Sequence, residues 1–383
     1  MMIVLITAAA VLVAYTNGAN DNFKGVATLL GSGTTGFRKA LAWATATTLA
    51  GSIVSVFWAE ALVRSFSGKG LVPDGIAASP EFMLAVAGGA GLTVLLATVT
   101  GFPISTTHSL IGALAGGGLV AVGADVRLGV LGQRFVAPLL FSPVAAVVLA
   151  GAAYGLLSYL RRRMGVTKEW VVALDRVQAA RASQHTVSTL ALDSGAASEY
   201  RLEVGPQEER DGGQSAERYS GSVIGIGVQR MLDVAHYLSA GMVSFARGLN
   251  DTPKIVALLL VVQGLAIAHG MLVVAAAMAL GGLLSAGKVA RTISHRITPM
   301  NPGQGFTANL VTSALVIASS RLGLPVSTTH VSVGSLFGIG MATRQARGRV
   351  VTSIFTSWVL TLPSAAGFSA AIYWILKHRM LSG

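Results

Sequence analysis

The stretch at positions 18–27 reads Gly18-Ala19-Asn20-Asp21-Asn22-Phe23-Lys24-Gly25-Val26-Ala27, and it returns 230 residues later as Gly248-Leu249-Asn250-Asp251-Thr252-Pro253-Lys254-Ile255-Val256-Ala257. We call this the Asn-Asp motif. A second stretch, the Ser-Thr-Thr motif, reads Pro103-Ile104-Ser105-Thr106-Thr107-His108 and returns 222 residues later as Pro325-Val326-Ser327-Thr328-Thr329-His330. The order and the spacing are nearly the same in both halves. The chain is therefore predicted to be a duplicated unit with a duplicated site.

The composition places both motifs in a membrane. Of 383 residues, 52% are hydrophobic and only 11% are charged, and the mean hydropathy is +0.65. A water-soluble domain of this length does not need so much apolar sequence. The long apolar runs are long enough for a spanning helix of roughly 20 residues and lack the alternation of a barrel strand. They occupy positions 40–62, 82–100, 130–160, 255–284 and 350–376. We expect an all-α polytopic membrane protein in contact with a lipid bilayer.

Charge and motif content exclude several other classes. The formal net charge is +12, but the basic residues sit at the ends of apolar runs and are not interleaved with aromatic residues, so no nucleic-acid partner is expected. The sequence has no cysteine, which excludes disulfides and thiolate metal sites. It also has no Walker loop, zinc motif or nucleophile–base pair. Neither an enzyme nor a bound cofactor is predicted.

A polar segment separates the two copies. Positions 161–222 carry nine acidic and nine basic residues and are expected to form a loop or a partly helical linker. The predicted organisation is a first membrane repeat at 1–160, this loop, and a second membrane repeat at 223–383. Three arginines at 161–163 place the loop in the cytoplasm by the positive-inside rule, and basic residues at 38–39 place the N-terminus outside. Each half would then cross the membrane an odd number of times, so the duplication would be inverted.

Two acidic residues of the apolar halves occupy corresponding places, Asp21 and Asp251. A carboxylate inside a membrane costs at least about 2.5 to 3.5 kcal/mol unless it faces water or a partner. Two of them at equivalent positions predict a partner, and a cation is the simplest one. The alternative is that both carboxylates cap helices and pair with Lys24 and Lys254, three residues further along.

The Ser-Thr-Thr motif suggests an anion site at the start of a helix. Pro103 and Pro325 are expected in the first helical turn, where a missing N–H is harmless. The hydroxyl groups would then lie beside backbone N–H groups that lack partners and near the positive end of the helix dipole. An oxyanion is stabilised by such donors without a buried arginine. The alternative is ordinary helix capping or helix packing.

Together, the four motif copies resemble those of the inorganic phosphate transporter (PiT) family, the sodium–phosphate symporters. The resemblance covers both apolar halves. It implies two inverted repeats with roughly 10–12 membrane segments, in which broken or re-entrant helices bring the motifs to one midplane site; membrane proteins tolerate such backbone only where protein or a cavity satisfies it. It also implies cation-coupled phosphate symport by alternating access across the plasma membrane, and a homodimer.

Carried over by motif position, the resemblance assigns phosphate to Ser105, Thr106, Thr107, Ser327, Thr328 and Thr329. It assigns the coupling cations, and further contacts with phosphate, to Asp21, Asn20, Asp251 and Asn250. Sodium is the preferred cation because carboxylate, amide and unwound carbonyl oxygens suit it.

Three alternatives stay open. His108 and His330 could relay protons in place of sodium. A passive anion channel would keep the anion site without needing paired carboxylates, and an intramembrane enzyme could act on a phosphorylated lipid. The two halves are expected to differ most where Asn22-Phe23 stands against Thr252-Pro253.

Overall fold

The computed structural model describes residues 1–173, 214–223, 225–296, 300–346 and 348–381. The helices of the first half are α1 (Met2–Asp21), α2 (Ala27–Gly31), α3 (Phe37–Trp58), α4 (Glu60–Ser65), α5 (Asp74–Ala77), α6 (Pro80–Thr100), α7 (Thr106–Val122), α8 (Leu128–Val130) and α9 (Ala137–Arg163). Those of the second half are α10 (Val228–Val256), α11 (Ile267–Ser285), α12 (Gly287–Arg296), α13 (Pro302–Arg321), α14 (Thr328–Ala342) and α15 (Gly348–Leu381). Short 3₁₀ turns cover Asn22–Val26, Gly123–Asp125 and Ala257–Leu259, and a π-helix covers Leu131–Val136.

The helices confirm a polytopic membrane protein of the all-α class. Within the described residues, seven helical segments are long and apolar enough to cross a membrane: Met2–Gly31, Phe37–Trp58, Pro80–Thr100, Thr106–Asp125, Leu128–Arg163, Ile267–Ser285 and Val359–His378. The expected number of membrane segments, 10–12, is larger than seven, because a selection by length and apolar composition leaves out charged helices and short helices. Helix α10 carries several charges along its length, and α14 has only 15 residues. Leu140, Phe141 and Val144 on α9 are largely exposed, as expected for a surface that contacts lipid.

The two halves exchange equivalent packing contacts. Helix α1 packs against α11, and α10 packs against α3. A Cβ atom added to Gly18 would lie 1.9 Å from the carbonyl oxygen of Met278, and one added to Gly248 would lie 2.1 Å from that of Thr48. Both pairs are related by the 230-residue offset of the Asn-Asp motif. Small residues at the same places therefore let the same helices approach closely in both copies.

A second pair of contacts follows the Ser-Thr-Thr motif. Helix α7 packs against α15, and α14 packs against α9. A Cβ atom on Gly116 would lie 2.2 Å from the carbonyl oxygen of Ala366, and one on Gly338 would lie 2.1 Å from that of Val147. The two glycines differ by 222 residues, the offset of this motif. The packing around each motif is thus duplicated along with the motif itself.

The ends of the predicted polar loop form strands. Strand β1 (Thr167–Ala173) pairs antiparallel with β2 (Gln214–Ser220), and a smaller pair joins β3 (Ser222–Val223) to β4 (Ile226–Gly227). The first of these strands is rich in β-branched and aromatic residues, which favour extended backbone over the expected loop or helix. The Tyr219 hydroxyl donates to Asn301 Oδ1 at 2.9 Å, and Asn301 caps α13. The rest of the predicted loop, 174–213, lies outside the described residues.

Candidate binding site

The two Asn-Asp motifs differ in backbone. Helix α1 ends at Asp21, and the chain continues as a 3₁₀ turn from Asn22. Helix α10 instead runs without a break through Asp251 and Pro253. The two repeats therefore differ in backbone at the positions where their sequences differ. The helix is continuous in the copy that contains a proline and interrupted in the copy that does not.

The side-chain contacts of the two copies also differ. Asn22 Nδ2 donates to Thr45 Oγ1 at 2.8 Å, and Asn22 Oδ1 accepts from Arg247 at 3.2 Å. These bonds hold the side chain of Asn22 against α3 and α10. In the second copy, Thr252 Oγ1 donates to Ser52 Oγ at 2.7 Å. Thr252 makes this bond while it lies inside the continuous helix α10.

The serines of the Ser-Thr-Thr motifs cap the helices that follow them. Ser105 Oγ accepts from the backbone N–H of His108, and Ser327 Oγ accepts from that of His330, each at 3.3 Å. A capping residue of this kind has extended backbone and satisfies one free N–H group. The capping alternative is therefore realised for both serines.

The prolines stand outside these helices, so the expectation that they occupy the first turn is wrong. The helices begin at Thr106 and Thr328, three residues after Pro103 and Pro325. The reason is that serine is the better cap, since its hydroxyl can accept from an N–H group of the first turn. The extended backbone before each cap leaves carbonyl groups available to side chains in the interior.

The structure buries all ten predicted site residues. Each has less than a tenth of its surface exposed: Asn20, Asp21, Ser105, Thr106, Thr107, Asn250, Asp251, Ser327, Thr328 and Thr329. Hydrogen bonds join the two motifs of each half, because Thr106 Oγ1 donates to Asp21 Oδ2 at 3.1 Å and Asn250 Nδ2 contacts Thr328 Oγ1 at 3.4 Å. A bond between the halves runs from Thr107 Oγ1 to the backbone oxygen of Val326, at 3.3 Å. The motifs therefore meet in one interior region.

Lys24 lies among oxygen atoms from both halves. Its Nζ contacts Asp21 Oδ1 and the backbone oxygen of Ile104, and it lies 3.1 Å from both Asn20 Oδ1 and Thr329 Oγ1. The last contact comes from the opposite repeat. Lys24 therefore pairs with the carboxylate of its own motif and also reaches the hydroxyl of the other copy.

Lys254 makes the reciprocal contacts. Its Nζ lies 2.7 Å from Thr107 Oγ1, 2.8 Å from the backbone oxygen of Val326 and 3.4 Å from Asp251 Oδ1. The lysine pairing that the sequence left open as an alternative is thus present in both copies. Each lysine reaches the Ser-Thr-Thr motif of the other half.

Asn17 joins the two carboxylates, although it lies just outside the Asn-Asp motif. Its Nδ2 lies 3.0 Å from Asp21 Oδ2, 3.2 Å from Asp251 Oδ2 and 3.0 Å from Thr106 Oγ1. One amide group has two protons to donate, so three oxygens share them. Both carboxylates therefore converge on a single side chain one helical turn before Asp21.

Arg247 is a second residue of this region that lies just outside the motifs. Among the described residues it is the largest fully buried side chain. Its Nη1 donates to Asn17 Oδ1 at 3.2 Å, while Nη2 donates to Asn22 Oδ1 at 3.2 Å and to Thr48 Oγ1 at 3.0 Å. The Ser-Thr-Thr motif was predicted to need no buried arginine for an anion, and the structure nevertheless places one beside the site. Arg247 is the counterpart of Asn17 at the 230-residue offset, so comparing the repeats one turn further back would have found both.

The site carries more positive than negative side chains. With their usual charges, Lys24, Lys254 and Arg247 contribute +3, and Asp21 and Asp251 contribute −2, which gives +1. Across the described part of the chain, no three His, Asp or Glu side chains cluster as they would around a multivalent metal ion. The arrangement suits an anion held beside individually neutralised carboxylates.

The starts of helices α7 and α14 meet at the centre of this region. Thr107 Oγ1 donates to the backbone oxygen of Val326 at 3.3 Å. The rings of His108 and His330 are both buried, with centroids 4.3 Å apart and planes inclined by 43°. The histidines therefore pack against each other behind the two Ser-Thr-Thr motifs.

Comparison with known proteins gives a consistent result. A model of the phosphate transporter family matches residues 17–369. A probable low-affinity inorganic phosphate transporter of Rhizobium meliloti is 27% identical, and the match covers 97% of this chain and 96% of that protein. A putative phosphate permease of Haemophilus influenzae is 26% identical over 95% of this chain and 94% of its own length.

A solved structure shares the fold. It is described as the sodium-dependent phosphate transporter, with a TM-score of 0.75 and 22% identity, and the match covers 98% of this chain and 99% of that one. Helices, motifs and family model thus agree over nearly the whole length. This chain belongs to the phosphate transporter family, and it is a transporter rather than an enzyme.

Proposed function

We propose that this chain carries inorganic phosphate by cation-coupled symport, with phosphate held between the N-termini of α7 and α14. The observation that supports this most is that these two helix starts meet, with Thr107 Oγ1 only 3.3 Å from the backbone of the opposite motif. Each helix start presents free N–H groups and a partial positive charge. Two such ends repel each other unless an anion lies between them.

Phosphate fits this position because it offers acceptor oxygens on every side. The proposed ligands are the hydroxyl and N–H groups of both motifs, together with Asp and Asn side chains that accept from or donate to the anion. They are Ser105, Thr106, Thr107, Ser327, Thr328, Thr329, Asp21, Asp251, Asn20 and Asn250. The buried guanidinium of Arg247 attracts the phosphate anion as well, because its positive charge is not paired with the carboxylate of the neighbouring motif.

Sodium is the proposed coupling ion, and Asp21, Asn20, Asp251 and Asn250 are its proposed ligands. Carboxylate, amide and unwound carbonyl oxygens surround these positions, and such oxygens hold sodium in broken membrane helices. The solved neighbour is itself described as sodium-dependent. A bound cation would raise the positive charge of the site and favour phosphate there, so each ion would increase the affinity for the other.

The proposed architecture follows the exchanged packing. Residues 1–160 and 223–383 would form two inverted repeats that rock against each other in alternating access, with the site at the midplane. The protein would lie in the plasma membrane, with residues 161–222 in the cytoplasm and the N-terminus outside the cell. We also propose a homodimer.

Labelled phosphate uptake into liposomes that contain the purified chain tests this function. We expect accumulation against the phosphate gradient when an inward sodium gradient is applied at fixed pH. Accumulation driven by a pH gradient alone would replace sodium with protons as the coupling ion and would direct attention to the paired histidines. Downhill flux under every gradient would show a channel, and it would refute coupling.

Selectivity against sulfate gives a separate prediction. Phosphate retains a proton at neutral pH and can donate it to Asp21, whereas sulfate has none to donate and meets repulsion. We therefore expect sulfate to compete poorly with phosphate. Asp21→Asn should reduce the preference for phosphate over sulfate by about tenfold, equivalent to about 1.4 kcal/mol. Inhibition of phosphate uptake by sulfate measures this preference.

Glu60→Gln is the matched control for Asp21→Asn. Glu60 pairs with Arg64 on the exposed surface, so this change should leave the preference unaltered. Equal competition by sulfate and phosphate in the unmutated chain would contradict the proposed role of Asp21.

A further inference from the structure

The ammonium group of Lys24 lies in a cage of oxygens. Carboxylate, amide, hydroxyl and backbone carbonyl oxygens surround it, from Asp21, Asn20, Thr329 and Ile104 respectively. A buried ammonium group needs acceptors for all three of its protons, so some of these oxygens are expected around any buried lysine. The mixture of carboxylate, amide, hydroxyl and carbonyl oxygens from both repeats is also typical of a site for a small hard cation.

The number of contacts supports the same interpretation. An ammonium group has three protons and no acceptor, yet four oxygens lie within hydrogen-bonding distance of Lys24 Nζ. One oxygen must therefore share a proton or remain without one. A spherical cation has no such limit, because every oxygen around it can be a ligand.

The second repeat contains a similar cage of three oxygens, in which no amide oxygen of the described residues corresponds to that of Asn20. Lys254 Nζ contacts a carboxylate oxygen of Asp251, the hydroxyl of Thr107 and the backbone oxygen of Val326. The backbone oxygens of 104 and 326 and the hydroxyls of 107 and 329 correspond at the 222-residue offset, and the lysines correspond at 230. The cages are thus duplicated together with the motifs, and each one is completed by the opposite half.

We propose that Lys24 and Lys254 are tethered cations that occupy the two sodium cages, so that sodium binds only by displacing a lysine. This inference deepens the proposed function and rests on its assignment of the coupling ion. An ammonium group and a sodium ion cannot share one cage, both because the space is the same and because like charges repel. The apparent sodium affinity is therefore lowered by the fraction of time for which the lysine is in place.

The test is equilibrium binding of labelled sodium to the purified full chain in detergent, with and without phosphate. Lys24→Met removes the competing charge without adding an oxygen, and Lys24→Gln removes it while leaving an amide. We expect sodium to bind at least about tenfold more tightly to both variants than to the unmutated chain. Lys254→Met and Lys254→Gln should behave alike at the second cage.

Lys168→Met is the matched control. Lys168 also pairs with a carboxylate, that of Glu217, at 2.9 Å, but it lies on strand β1 and not in a cage. This change should leave sodium affinity within about twofold, because the partners of Lys168, Glu217 and Tyr154, belong to neither cage.

A Lys24→Met variant that binds phosphate but binds sodium no more tightly than the unmutated chain would overturn the proposal. If that variant does not fold, Lys24→Gln decides by the same criterion. Because binding is measured without flux, this result is separate from that of the liposome experiment. A chain that moves no phosphate would end the proposed function, whereas unchanged sodium affinity in the lysine variants would end only the tethered-cation inference.

Discussion

Replacing Arg247 with methionine is expected to reduce phosphate uptake by at least about 100-fold and to lower the free energy of unfolding by about 3 kcal/mol. The guanidinium donates to Asn17, Asn22 and Thr48. Without it, buried acceptors lose their donor, and each such loss costs about 1 to 3 kcal/mol. The Asn17 amide would then be free to turn away from the two carboxylates that it joins.

Lysine at position 247 should not restore uptake. A guanidinium is a planar fork that reaches two acceptors at once, whereas an ammonium group is a single compact charge. Arg247→Lys therefore tests geometry at constant charge. Uptake of labelled phosphate and thermal unfolding in detergent measure the two effects.

Arg64→Met provides the control for both arginine variants. Arg64 and Glu60 form an ion pair with side chains 79% and 69% exposed, and such surface pairs contribute about 1 kcal/mol or less. If Arg247→Met transported phosphate as well as Arg64→Met does, the buried guanidinium would have no part in organising the site.

Alanine at Gly248 or Gly18 is expected to destabilise the fold by about 3 kcal/mol, at the upper end of the range for overpacked positions. The added Cβ would lie about 2 Å from a backbone oxygen of the neighbouring helix, where real Cβ atoms stay beyond 3.0 Å. A backbone oxygen cannot swing aside as a flexible side chain can. The helices would have to separate, and close packing is what holds helices together in a membrane.

Gly367→Ala is the matched control in helix α15. A Cβ at that position meets nothing within 4 Å, and alanine is favoured over glycine in a helix by about 1 kcal/mol. Thermal unfolding in detergent should therefore show a loss for Gly248→Ala and no loss for Gly367→Ala. Equal stability of the two variants would mean that α3 and α10 do not depend on close approach.

Local sequence patterns predicted much of this protein. Apolar runs predicted helices, and the repeated motifs predicted which polar residues are buried, because a polar group in a membrane needs a partner wherever it lies. For Ser105 the sequence left two alternatives open, helix capping and anion binding, and one serine can do both. The helix start at Pro103 was wrong because proline and serine compete for similar positions at a helix N-terminus.

The contacts between halves were beyond the reach of local patterns. Lys24 and Thr329 are 305 positions apart, and no periodicity within either segment specifies that they meet. Arg247 was missed for a related reason: a basic residue in a helix that carries several charges has no evident role until the partners around it are known. Nonlocal packing decides such cases.

The antiparallel pairing of β1 and β2 has a practical consequence for engineering. The chain leaves the helical body at Ala173 and returns at Gln214, and these two residues are register partners. Whatever length of sequence lies between them, the distance between its two ends is fixed by the strand ladder. Doubling such a loop adds only about 0.6 kcal/mol of closure entropy. A reporter domain inserted between these residues should therefore leave the spacing of α9 and α10 unaltered, so this is the place to attach a label.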